Sequence, residues 1–183
     1  MMGATTLAEM RKHGVGWLVV QDGGAVIESS TARNPALVVT PDPNLRYGDC
    51  KAEVRAALVK FNEVNRKDGL RDMCEIVERE TEELAIACFR KSRLIPDEAA
   101  IKKMDWAGQI NTLASVNAHP PGAGPIVSDT FKHDLHSFRG ARNLIDHKVN
   151  TKWEDKRREL QFADRMMQGP RILAEIIRLK RSL

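Results

Sequence analysis

Leu135, Phe138, Arg142, Ile145 and Val149 are spaced 3, 4, 3 and 4 residues apart, the rhythm of the core-facing seam of a packed helix, yet the central position is an arginine. A guanidinium keeps its proton at any ordinary pH, and burying it alone costs on the order of several kcal/mol. An anion must therefore meet Arg142: a carboxylate of the same chain, a carboxylate of a partner, or a substrate phosphate. One turn away, His136, Gly140, Asn143 and His147 repeat at 4, 3 and 4, so that three polar side chains line one stripe with a gap at Gly140. A mid-helix glycine costs about 1 kcal/mol relative to alanine, which predicts that bare backbone serves a close approach there.

Other chemistries are less well supplied. His133 and His136 share a helix face and could bind a metal with Asp129 or Asp134, although two surface histidines are the simpler reading. The stretch Ala118-His119-Pro120-Pro121-Gly122-Ala123-Gly124 lacks the lysine of a phosphate-cradling loop, and neither Gly-x-Ser-x-Gly nor His-Glu-x-x-His occurs. Cys50, Cys74 and Cys88 are odd in number and have no Cys-x-x-Cys spacing, so they read as small core hydrophobes rather than a disulfide framework or a zinc site. Trp106, Trp153 and Met166-Met167 read as packing residues.

Arg142-Asn143-Leu144-Ile145-Asp146-His147 resembles the Arg-Asn-x-x-x-His signature of the HEPN family of helical-bundle ribonucleases and RNA-binding modules. His147 is the only histidine of the chain with an arginine four to six positions upstream. The similarity spans roughly residues 50 to 183. It implies a metal-independent endoribonuclease without a cofactor, in which two chains related by a two-fold axis build the site together. Arg142 and His147, five residues apart on a regular helix, point about 140° away from each other, which fits a site shared between copies or a distorted helix end. In the implied chemistry His147, with an ordinary pKa of about 6.5, takes the proton of a ribose 2′-hydroxyl, and the second copy's imidazole protonates the leaving 5′-oxygen. Arg142 stabilises charge on the pentacoordinate phosphorus, and Asn143 orients the imidazole or holds a phosphate oxygen. His136, Arg139, Lys148 and Lys152 are the residues expected to bind the RNA. The family's common role as toxins or defence effectors further implies an antitoxin or sensor-domain partner. The alternative is a non-catalytic helical module that uses the same residues to bind RNA, a nucleotide or a partner.

The elements that would position these residues change character near residue 48. Before it, a short helix over Leu7–Lys12 and three apolar runs, Trp17–Val20, Ala25–Glu28 and Ala36–Val39, predict a small α/β segment over residues 1–48, with Asp22-Gly23-Gly24 as a hairpin turn. From 49 to 183 the period is helical and predicts a mainly α, antiparallel bundle of about four or five helices. Val54, Ala57, Leu58 and Phe61 give the first stripe; Leu70, Cys74, Val77, Leu84 and Cys88 give a longer second helix ended by Pro96. The run Glu78–Glu83 in its middle reads as a solvated face. Trp106, Ile110 and Leu113 mark a third helix. A fourth runs from Thr130 to Val149 with Ser128 or Asp129 as its cap, and a last one starts near Lys152 and is broken at Gly169-Pro170.

Composition agrees with a folded protein: 183 residues, 42% hydrophobic and 30% charged. A net charge of +4 is a mild bias towards polyanions, and 5% aromatics argue against a base-stacking platform. Without a long apolar run or a secretory-type start, the chain is expected to be cytoplasmic and to have no membrane partner.

Overall fold

The computed structural model describes residues 18–21, 25–29, 37–40, 42–92, 98–116, 125–146 and 152–183. The helix expected over Leu7–Lys12, the Asp22–Gly24 turn and most of the proline-rich loop after Val116 lie outside them. Three short strands, β1 (Leu18–Gln21), β2 (Ala25–Ser29) and β3 (Leu37–Val39), pair antiparallel in the order β1-β2-β3, with Val19 opposite Ile27 and Ile27 opposite Val39. The chain is otherwise mainly helical. Among the described residues there are six α-helices: α1 (Lys51–Val59), α2 (Arg66–Lys91), α3 (Glu98–Lys103), α4 (Trp106–Ser115), α5 (Asp129–Asp146) and α6 (Lys152–Ser182). No helix of the described residues is long and apolar enough to cross a membrane.

The stripes foreseen for α1 and α2 are all inside. Val54, Ala57, Leu58 and Phe61, then Leu70, Cys74, Val77, Leu84 and Cys88, are buried, as are Trp106, Ile110 and Leu113 of α4. Helix starts follow their caps. Asn65 Oδ1 accepts from the Asp68 N–H at the start of α2, Asp105 Oδ1 from Gly108 N–H at α4, and Ser128 Oγ from Phe131 N–H at α5. Between α1 and α2 the chain widens into a π-turn over Lys60–Val64, closed by the Asn65 N–H on the Lys60 carbonyl at 2.8 Å. The turn carries Phe61 into the core. It also carries Asn62 to β3, where the Asn62 amide accepts from the Val39 N–H and donates to the Val39 carbonyl, both at 2.9 Å. One side chain thus stands in for a neighbouring strand and fastens β3 to the helices.

Pairing along the helices fixes their directions. Arg66 meets Glu159, Gly169 lies on Met73, and Lys180 reaches Glu80 and Glu83, so residue numbers rise together and α2 and α6 run the same way. Against α6, α5 runs oppositely, with Ser137 on Arg165 and the Leu144 and Ile145 carbonyls on Arg158. The expected antiparallel bundle is therefore corrected: α2 and α6, which pack side by side, run parallel. The periodicity that marks a helix says nothing about its direction, and six-residue α3 was too short to read.

Two further corrections concern single elements. Helix α6 is not broken at Gly169-Pro170 but continuous from Lys152 to Ser182, with Pro170 inside it. The pair serves packing: a Cβ on Gly169 would stand 2.5 Å from Met73 Cγ and 3.1 Å from Phe138 Cζ, so bare backbone lets α6 close on α2 and α5. Nor is the run Glu78–Glu83 a solvated face, because Glu80 and Thr81 are buried. The Thr81 hydroxyl donates to the Val77 carbonyl at 2.7 Å. Glu80 accepts from Lys180 Nζ at 2.9 Å, from Cys50 Sγ at 3.2 Å and from Arg79 at 3.3 Å, and Arg79 reaches on to Glu53 at 2.5 Å. Burial pushes the Glu80 carboxyl up, but the hydrogen bonds from Lys180 and Cys50 and the charges of Lys180 and Arg79 outweigh it and hold it below its ordinary value. All three cysteines are free and buried. Burial raises Cys50 to about 11 and Cys74 and Cys88 to about 12, so the thiols stay protonated and Cys50 can donate to Glu80.

Two measurements test this packing. Gly69 lies so close to the π-turn that a Cβ there would stand 2.4 Å from the Phe61 backbone nitrogen, which cannot swing aside. Gly69→Ala should therefore lower the urea-unfolding free energy by about 2–3 kcal/mol or more. Because the folded Glu80 carboxyl titrates below its unfolded value, its contribution is complete above the ordinary carboxylate pKa and disappears as pH falls through the lower folded value. Glu80→Gln should cost about 3 kcal/mol at pH 7 and flatten the acid side of the stability curve; an unchanged acid limb would show the Lys180 contact to be unimportant.

Candidate functional site

Helix α5 buries Phe131, Leu135, Phe138, Ala141 and Ile145. Ala141, not Arg142, occupies the middle of the seam, which corrects the placement expected from the 3-4-3-4 spacing. Counting three from Phe138 reaches Ala141 and counting four reaches Arg142, and Ile145 completes either path. The alanine path avoids desolvating a guanidinium and lets α5 approach its neighbours closely. Arg142 emerges on the flank with its side chain 45% exposed. There its Nη2 donates to Glu78 Oε2 of α2, and its guanidinium carbon lies 5.4 Å from the centre of the Trp106 ring of α4. Of the three anions considered for Arg142, a carboxylate of the same chain is the one present.

The socket around that guanidinium has an aromatic and a carboxylate wall. Trp106 is 3% exposed and packs edge-on against Phe138, ring centres 6.1 Å apart at 77°, so the indole is held by the core. The Glu78 side chain, 26% exposed, is the more buried partner of the pair. Burial pushes its carboxyl up, Arg142 pulls it down, and Glu75 and Glu82 on either side push it up again. The next turn of α2 contributes Glu82, whose Oε2 accepts from Gln109 Nε2 of α4 at 3.1 Å.

The remaining candidates are dispersed along α5. Asn143 is exposed beside Arg142 in the last turn of the helix. His136 turns towards α4, and its Nε2 lies 3.1 Å from Asn111 Oδ1. That oxygen only accepts, so Nε2 carries the hydrogen. Burial lowers the His136 pKa and the nearby charges of Arg139, Lys132 and His133 lower it further, favouring the neutral ring. Arg139 is half-buried, and its Nε is buried with no hydrogen-bond partner among the described residues. Gly140 differs from the close-packed Gly69 and Gly169, since a Cβ there would meet nothing within 4 Å. The approach foreseen at Gly140 is therefore not made by any described part of this chain. His133, His136, Asp129 and Asp134 do not gather into a metal-holding group; the described residues contain no such group.

Regular helix is described to Asp146, three residues short of the Val149 expected from the seam. His147 and Lys148 lie outside the described residues, as does the Lys152 side chain. Arg142 and Asn143 are both exposed, on adjacent positions of the last turns of α5. A pairing of Arg142 with one of the glutamates of α2 was open to the sequence reading, and Glu78 is that glutamate. Two contributors were not legible there: Trp106, which read as packing, and Arg158, which sat in a basic run that could have tracked an RNA backbone. Arg158 instead donates to the Leu144 and Ile145 carbonyls at 3.2 and 2.9 Å, capping the end of α5 just before His147, with its guanidinium 5.1 Å from the Phe162 ring centre. Its position in α6, antiparallel to α5, is the signal that would have found it. Comparison with known proteins adds no constraint: no protein-family model, no curated protein and no solved structure matches this chain.

Proposed function

We propose that this chain is a metal-independent endoribonuclease of the HEPN type, acting on RNA as a homodimer, with residues 49–183 as the HEPN-like bundle and 1–48 as an α/β appendage. Arg142, Asn143 and His147 would form the site, with His136, Arg139, Lys148 and Lys152 along the RNA. The observation that carries the reading is the pair Arg142 and Asn143, both exposed in the last turns of α5 directly before His147, on a helix whose inward face is already complete without them. The apolar seam needs neither residue there. An ion pair as exposed as that of Arg142 and Glu78 is worth about 0–1 kcal/mol, so a phosphodiester can compete for the guanidinium. The open space at Gly140, on the same stripe as Asn143 and His147, gives a second copy or an RNA strand room to come close.

In the proposed reaction the neutral His147 of one copy accepts the 2′-hydroxyl proton and the 2′-oxygen attacks phosphorus. The 5′-oxygen leaves with a proton from the other copy's imidazole, and the chain ends in a 2′,3′-cyclic phosphate. Arg142 stabilises the added negative charge. Toxin or defence activity, restrained by an antitoxin or a sensor domain, is the biological role that goes with this chemistry.

A second reading is favoured by the Glu78 and Trp106 contacts, which give Arg142 a structural role: a non-catalytic helical module that binds RNA or a partner. Incubation with single-stranded RNA in EDTA separates the two. The nuclease should yield cyclic-phosphate ends and leave DNA intact. It should lose about 10²–10⁴-fold in rate on His147→Ala and about 10²–10³-fold on Arg142→Ala, and light scattering should give twice the 20.5 kDa chain mass. No cleavage by an intact dimer would leave the binding module; a strict monomer would remove the shared site.

A further inference from the structure

We propose that Glu78 is the resting occupant of the anion site at Arg142, an autoinhibitory contact that RNA must displace before the guanidinium can take a phosphate; this rests on the reading of Arg142 as an RNA-binding group. The contact is between charged heads on two helices, Nη2 of Arg142 on α5 and Oε2 of Glu78 on α2. The indole of Trp106, packed on Phe138, backs the guanidinium, and the pair itself is open to solvent, with side chains 45% and 26% exposed, so a ligand phosphate can reach it. Glu75, Glu78 and Glu82 lie 3 and 4 residues apart on α2 and share a face, so Arg142 stands beside a ridge of three carboxylates. A phosphate arriving while Glu78 remains bound would put two anions on one guanidinium with two more carboxylates nearby. Exchange of Glu78 for phosphate leaves the guanidinium facing one anion instead of two. The device thus stops a half-exposed arginine from holding polyanions by charge alone and makes engagement depend on further contacts elsewhere along the RNA.

The test is binding of a fluorescent oligoribonucleotide methylated at every 2′-oxygen, which cannot be cleaved, followed by anisotropy at low salt with the full chain. Glu78→Gln, which keeps the shape and the fold, should tighten binding by about two- to fivefold, the range expected for releasing an ion pair of this exposure. Glu75→Gln removes the same charge from the ridge without touching the clamp and should give a smaller gain. In an Arg142→Gln background the Glu78→Gln gain should vanish. Equal gains from Glu75→Gln and Glu78→Gln, or a gain that persists without Arg142, would reduce the effect to net charge and overturn the proposal. Binding that follows the expected pattern without RNA cleavage by the wild type would sink the nuclease reading and leave this one standing. No binding by any variant would remove both.

Discussion

Where α5 turns its face is set by the cost of desolvating a guanidinium. Phe138 and Ile145 fix the seam at two points, and the turn between them can be closed by Ala141 or by Arg142. The difference of one residue is a rotation of about 100°, and several kcal/mol of charge burial decide it. Everything at the candidate site follows from that choice. Arg142 lands between α2 and α4, Asn143 is carried to the surface beside it, and the neighbouring stripe of His136 and Gly140 is turned so that His136 meets α4 and Gly140 meets nothing.

The setting for that rotation is α2, the 26-residue helix against which α1, α4, α5 and α6 all pack. Its two charged regions behave differently because their surroundings differ. At Glu80 the carboxylate is buried and answered from three sides by Lys180, Cys50 and Arg79, so its ionised form is favoured and it fastens the end of α6 and the turn before α1. At Glu78, two residues back and on another side of the helix, the carboxylate has one cation and two like-charged neighbours, and its ionised form is disfavoured by burial first and by those neighbours as well. The first arrangement is a rivet; the second is a contact that gives way.

Much of the core was legible because burial follows helical period: the apolar stripes of α1, α2 and α4 are inside residue by residue, and the cap of α5 is the serine foreseen as one of two candidates. Features set by distant partners were not. Glu80 is internal only because Lys180 lies beside it, 100 residues away in sequence, and no local pattern announces that pairing. The parallel run of α2 and α6 rests on pairs far apart in sequence such as Arg66 and Glu159, and the glycine before Pro170 answers to Met73 and Phe138 opposite it. At Arg142 the sequence held more than periodicity could use. The residue types at 141 and 142, taken with the price of burying charge, already favour alanine inside.

That distinction bears on what the exposed arginine can do. An arginine forced into a dry seam would need a permanent counter-charge, and a permanent counter-charge would leave nothing for a ligand. Turned outwards, Arg142 keeps its guanidinium over the Trp106 ring and one N–H on the Glu78 carboxylate, while four of its five N–H groups make no hydrogen bond to the described residues. The aromatic floor attracts the guanidinium without satisfying its donors. A planar cation with unspent donors is what recognition of a phosphate needs. Arg158, capping the carbonyls of the turn that follows, keeps the platform from fraying on the side where His147 continues the chain.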